Sequence, residues 1–143
     1  NFSMGAVLMV AFSAIAAPYF ESVEIVESHH PEKVDAPSGT SRFTAEKIAE
    51  ARQGHAPSPD ATDPRDLGAR GTSVNGVPIH SVRLRGLVAH QEVVFGSTGE
   101  TLTIAHDSLS RDSFMQGVLI AIKEMSHIDG VVVGLENVLP LGS

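Results

Sequence analysis

Cysteine is absent from the 143 residues, which excludes disulfides, thiolate catalysis and Cys-ligated zinc. Also missing is any G-x-G-x-x-G run after a strand, so the chain cannot by itself hold a dinucleotide in the usual way. Basic residues are scarce. Ten Lys and Arg against 17 Asp and Glu give a net charge of −7, the wrong sign for nucleic acid or an anionic membrane surface as partner. An anionic ligand must therefore be drawn by a local cationic pocket, against the average field. No apolar run reaches the roughly 20 residues of a spanning helix. Residues 4–20 come nearest, but they lack a basic n-region and no small-residue cleavage pattern follows them. A core helix is expected there.

The 42% of hydrophobic residues suffices for one real core, so residues 1–143 read as one domain. The first residue is Asn1 rather than a methionine, which suggests a fragment or processed product. Met4, Val7, Leu8, Ala11, Phe12, Ile15 and Tyr19 recur at helical spacing. Residues 23–28 alternate as a strand, and 42–53 read as a helix carrying Ala45, Ile48 and Ala49 and stopping at Gly54. Residues 55–75 are rich in Pro, Asp and Gly and read as a long surface loop, in which Gly68-Ala69-Arg70-Gly71 is a turn with a solvated arginine. Residues 77–106 are rich in β-formers with short glycine breaks, which suggests antiparallel neighbours. A last helix over 111–127 presents Phe114, Gly117, Val118, Ala121, Ile122 and Met125 as its buried stripe, and 131–133 suggest a short final strand. The expected fold is α+β, a largely antiparallel or mixed β-sheet with helices packed on one face. A sheet this long on a small domain leaves a face or edge that self-association would cover.

The chemistry concentrates in Glu27-Ser28-His29-His30-Pro31-Glu32-Lys33-Val34-Asp35-Ala36-Pro37-Ser38-Gly39-Thr40-Ser41. Two imidazoles and a lysine stand at one end of a proline-stiffened loop. A Ser-Gly-Thr helix start stands at the other, capped by Ser38 or Thr40. Histidine titrates near neutral pH, and the free N–H groups of a helix start suit a carboxylate or phosphate. Gly39 lets the backbone approach a ligand closely. Such a segment can hold an anion and protonate it. Arg111 falls in the first turn of the last helix, an unfavourable place for a cation unless an anion is near, which makes it a further candidate for substrate contact.

This string resembles the signature E-x-H-H-x-x-K-x-D-A-P-S-G-T of dihydrodipicolinate reductase (4-hydroxy-tetrahydrodipicolinate reductase) of bacterial lysine biosynthesis, with every fixed position present. Ser41 stands where the family usually has alanine. The resemblance continues through Val88-Ala89-His90-Gln91-Glu92 and Ile104-Ala105-His106-Asp107-Ser108, and Asn1-Phe2-Ser3 is similar to the family's A-x-N-F-S hinge. It implies an NADPH- or NADH-dependent reduction of 4-hydroxy-tetrahydrodipicolinate in the diaminopimelate and lysine pathway. His29 and Lys33 would be the catalytic pair, and His30, Gly39 and Thr40 substrate-binding residues. Asn1 and Phe2 would lie near the nicotinamide nucleotide, and Glu27 and Asp35 would serve positioning. It implies further that the chain is the C-terminal substrate-binding and oligomerisation domain of a cytoplasmic homotetramer. The nucleotide-binding domain is missing, so the chain alone is expected to be inactive.

Two other readings compete. A non-catalytic oligomerisation module would have no need of His29, His30 and Lys33 beside a Gly-Thr helix start. Another two-domain oxidoreductase would fit the Asp-Ala-Pro-Ser-Gly-Thr string less well. A zinc site of His80, His90 and His106 is not expected, because none is paired at a ligand-like short spacing.

Overall fold

The structure is a computed structural model that describes residues 1–141. Helix α1 (Met4–Ala16) leads into a 3-10 turn, Ala17–Tyr19, and strand β1 (Ser22–His29). Helix α2 (Gly39–Ala51) is followed by a 3-10 segment, Pro64–Arg70, and strands β2 (Thr72–Val74), β3 (Val77–Arg83), β4 (Ala89–Ser97) and β5 (Glu100–Ser108). A 3-10 turn, Arg111–Phe114, opens helix α3 (Met115–Glu124). The five strands form one mixed sheet in the order β2-β3-β1-β4-β5. This is the expected α+β architecture.

Period-2 alternation explains why one face is covered. Val23 and Ile25 of β1, Val77 and Ile79 of β3, and Val93 and Phe95 of β4 point to the same side. They meet Ala6 and Met9 of α1 and Ala45 and Ile48 of α2 in one cluster. Burying each large side chain contributes roughly 1.5–3 kcal/mol. Phe20 closes the end of that core, its ring tilted 35° against Phe95 at 5.5 Å.

Several expectations need correction. The glycine break after β3 is no hairpin, because β1 lies between β3 and β4: it pairs parallel with β3 and antiparallel with β4. The loop over 55–75 holds more order than its composition suggests. Asn75 and Gly76, both at positive φ, make a two-residue turn that folds β2 back onto β3. Arg70 is not solvated but paired with Glu24 and with Asp60. Helix α2 starts at Gly39 because Ser38 caps it, accepting a hydrogen bond from Ser41 N–H. Its C-cap is Arg52, not Gly54.

The inward face of α1 is Ala6, Val7, Met9 and Ser13, while Phe12, Ile15 and Tyr19 are exposed. A helix apolar on every side gives periodicity little to choose between. Only Gly117 of α3 is buried, and Ile122 and Met125 are 58% and 67% exposed. The sheet face is already taken by α1 and α2, so the stripe is covered only at its Gly117 end, by Phe2 and Leu135, and Ile122 and Met125 stay exposed. Residues 131–133 are irregular rather than a strand.

Candidate active site

The alternation that buries Val23 and Ile25 carries on along β1 to Glu27 and His29, so the core stripe runs directly into a cavity. That cavity, of about 650 Å³, lies at the end of β1. It brings together the expected catalytic, substrate-binding and cofactor-facing residues, Asn1, Phe2, His29, His30, Lys33, Gly39, Thr40 and Arg111, while Glu27 and Asp35 stand outside its lining. His90, His106 and Phe114 complete the wall. The loop between His29 and α2 contains a cis Ala36–Pro37 peptide, and the start of α2 lines the same cavity as the histidines.

His29 Nδ1 lies 2.5 Å from the buried carboxylate of Glu27. Burial, above all, pushes the His29 imidazole below its ordinary value. Glu27 pulls it back up, while Lys33 and Arg83 push it further down. The ring is therefore neutral at neutral pH in the free chain. His30 Nδ1 faces Glu32 at 3.2 Å, and Lys33 Nζ donates to Asp35 at 2.8 Å. Lys33 and the backbone N–H groups of Asp35 and Gly39 hold the Asp35 carboxyl below its usual range. In the free chain Asp35 is thus the partner of Lys33, from outside the cavity lining.

A Cβ at Gly39 would meet nothing within 4 Å, so the volume a side chain would take is left to the cavity. Asn1 Nδ2 donates to Thr40 Oγ1 at 3.3 Å, tying the first residue of the chain to the same helix start. Beneath it, Ser41 Oγ donates to buried Gln91 at 2.7 Å, and Gln91 Nε2 donates to Thr44 Oγ1 at 2.9 Å. This fully paired network fixes α2 against β4. Arg111 opens a 3-10 turn rather than the α-helix proper, and Ser110 caps that turn through Asp112 N–H.

Three participants were given no role in the site by the sequence reading. His90 and His106 reach the cavity wall from β4 and β5. His106 Nε2 lies 3.2 Å from Ser3 Oγ, and burial pushes its pKa down. Arg83 was not singled out at all, yet it grips Glu27 with two bonds of 2.9 Å. The signal was present: Arg83 continues the alternation of Val77 and Ile79 on β3, and an arginine kept partly buried there needs an anion opposite. The three strand histidines do not converge, since His80 sits 2.6 Å from Glu24 and His90 2.7 Å from Asp107. Among the described residues no group of three or more His, Asp or Glu is placed to hold a metal ion. No helix among them is long and apolar enough to cross a membrane.

Comparison with known proteins places this geometry. Residues 5–139 match the family model described as dihydrodipicolinate reductase, C-terminus. The 4-hydroxy-tetrahydrodipicolinate reductase of Mycolicibacterium smegmatis is 61% identical over 141 residues, covering 99% of this chain and 58% of that protein. The enzyme of the same name from Streptomyces coelicolor is 60% identical over 143 residues, covering 99% and 57%. Among solved structures, a dipicolinate-bound dihydrodipicolinate reductase from Paenisporosarcina sp. TG-14 superposes with a TM-score of 0.87 at 51% identity, covering 97% of this chain and 52% of that one. The chain spans a little over half the length of these relatives. It belongs to the dihydrodipicolinate reductase family, whose C-terminal part it matches over nearly its whole length.

Proposed function

We propose that the chain is the substrate-binding part of an NADPH- or NADH-dependent reductase that converts 4-hydroxy-tetrahydrodipicolinate to tetrahydrodipicolinate in diaminopimelate and lysine biosynthesis. The observation that carries this reading is the single cavity shared by His29, Lys33, Arg111 and the start of α2. One carboxylate of the cyclic substrate lies at the Gly39 and Thr40 end of α2, beside Lys33. Arg111 and His30 take the second. With two carboxylates bound, the imidazolium form of His29 is favoured; once the 4-hydroxyl has left as water, its Nε2 protonates the carbon skeleton as the ring accepts the hydride. Lys33 stabilises the negative charge that develops. A carboxylate anchored at two points holds the ring near the geometry of reaction.

The cofactor's share is confined to one end. Asn1 and Phe2 line the cavity, so these residues fit a nicotinamide. No glycine-rich strand–helix turn is present to cradle a pyrophosphate. Bound mainly outside this chain, NAD(P)H supplies the hydride. The isolated chain accordingly has no reductase activity. The outer sheet face, where Thr101, Thr103 and Ala105 of β5 are exposed, supports self-association to a homotetramer, and a cytoplasmic location accords with the proposed pathway.

Calorimetry with pyridine-2,6-dicarboxylate, a planar mimic of the substrate, tests the site. Binding should be measurable with the chain and lost in Lys33→Ala. In a full-length protein carrying this domain, His29→Gln should lower kcat by about 10²- to 10⁴-fold, the usual contribution of a general acid. Unchanged kcat in that variant, or dicarboxylate binding indifferent to Lys33, would overturn the assignment.

A further inference from the structure

Glu27 has no exposed surface and does not line the cavity, yet four donors converge on its carboxylate. Arg83 Nη1 donates to Oε2 and Nη2 to Oε1, both at 2.9 Å. Ser38 N–H donates to Oε1 at 3.2 Å, and His29 Nδ1 meets Oε2 at 2.5 Å. Burial raises the Glu27 carboxyl, but Arg83, then Ser81 and His29, more than offset it and hold it below its usual range. An ionised carboxylate accepts and never donates. The ring nitrogen facing it must carry the proton, which leaves Nε2 as the free atom of a neutral imidazole.

Arg83 does more than neutralise this charge. It lies opposite His29 in the parallel β1–β3 register. Nη2 also donates to Asp35 O at 2.7 Å, and Nη1 to Val82 O at 2.8 Å. Asp35 in turn holds Lys33. One planar guanidinium thus steadies His29 through a side chain and Lys33 through the loop backbone. Only a rigid fork can serve both, and a lysine amine cannot.

The geometry points to Arg83, acting through Glu27, as a positioning residue that keeps His29 in the Nδ1-protonated tautomer and reserves Nε2 for proton exchange with the bound substrate. The inference rests on the role proposed above for His29. The charged or titratable groups around the ring are Glu27 on its own strand, Arg83 from β3 and Lys33 from the following loop. His90, His106 and Arg111 face it across the cavity.

The test is a two-bond proton–nitrogen correlation spectrum of the ¹⁵N-labelled chain, followed across pH. In the unaltered chain His29 should show the Nδ1-protonated tautomer. Glu27→Gln removes the anion that favours imidazolium, so the His29 titration should move down and the tautomers mix. Arg83→Gln removes a cation, so the same titration should move up. Opposite directions separate positioning from a merely structural role, which would alter unfolding temperature and leave His29 unmoved. Removing one partner strands a buried charge, so the paired Glu27→Gln/Arg83→Gln change supplies a charge-neutral comparison in which the tautomers should also mix. In a full-length enzyme Glu27→Gln should lower kcat by about 10²-fold with KM little changed. An Nε2-protonated or mixed tautomer in the unaltered chain overturns the inference, whether or not any variant folds. If the tautomer is as stated but pyridine-2,6-dicarboxylate does not bind, it is the proposed function that fails.

Discussion

Replacing Gly117 by alanine sets two effects of opposite sign against each other. In a helix interior, alanine is favoured over glycine by roughly 0.5–1 kcal/mol. Taken alone, that predicts a more stable chain. The structure predicts the reverse. A Cβ at Gly117 would lie 2.0 Å from Phe2 O and 2.8 Å from Leu135 Cδ2. The closer neighbour is backbone, which cannot turn aside as a side chain can, so α3 must move off the N-terminal segment. Overpacking of this kind typically costs about 1–3 kcal/mol, and a contact this short belongs at the upper end. After the propensity gain is subtracted, a loss of about 2–2.5 kcal/mol remains. For a domain near this size that is a fall in Tm of roughly 4–10 °C. Phe2, Arg111 and Phe114, all on the cavity wall, stand on either side of the displaced contact, so affinity for pyridine-2,6-dicarboxylate should weaken by about threefold or more. Differential scanning calorimetry and isothermal titration read the two quantities. A rise in Tm with unchanged affinity would refute the reasoning.

Two further outcomes concern protons. Burial first, then Lys33 and Arg83, holds His29 below its ordinary 6.5 in the free chain, against the pull of Glu27. A bound dianion favours the charged ring, so dicarboxylate binding should take up a proton near neutral pH and tighten as pH falls. Titrations in buffers of differing ionisation enthalpy measure that uptake, and a value of zero would contradict it. The second outcome concerns acid stability. Glu27 sits below its reference value of 4.5 in the folded chain because Arg83, Ser81 and His29 outweigh burial. Its contribution is complete above that value and is lost as pH falls through the lower folded one. As pH falls below 4.5 the Tm of Glu27→Gln should depend less steeply on pH than that of the unaltered chain, and equal slopes would count against the pairing.

How legible each part was depends on how far apart its partners lie in the chain. His29, Lys33, Gly39 and Thr40 fall within one short stretch, and a stiff loop between a strand and a helix leaves few ways to arrange them. Arg83 is 56 residues from Glu27, and their meeting depends on a parallel pairing that no local pattern announces. The turn at Asn75-Gly76 was legible in principle, flanked by Val74 and Val77, but β2 has only three residues and hides in a polar stretch. On α1, apolar residues on all sides concealed which face turns inward. Residues 131–133 have β-branched side chains but do not join the sheet, and propensity without pairing makes no strand.

Along one face of β1 stand Val23, Ile25, Glu27 and His29, the first two in the core and the last at the cavity. Slipping that strand by one residue against its neighbours would turn Ser28 inward and throw the imidazole to the far side of the sheet. Correct assembly and chemical competence are therefore one property in this domain. A mispaired molecule would be inert rather than careless with its reactants.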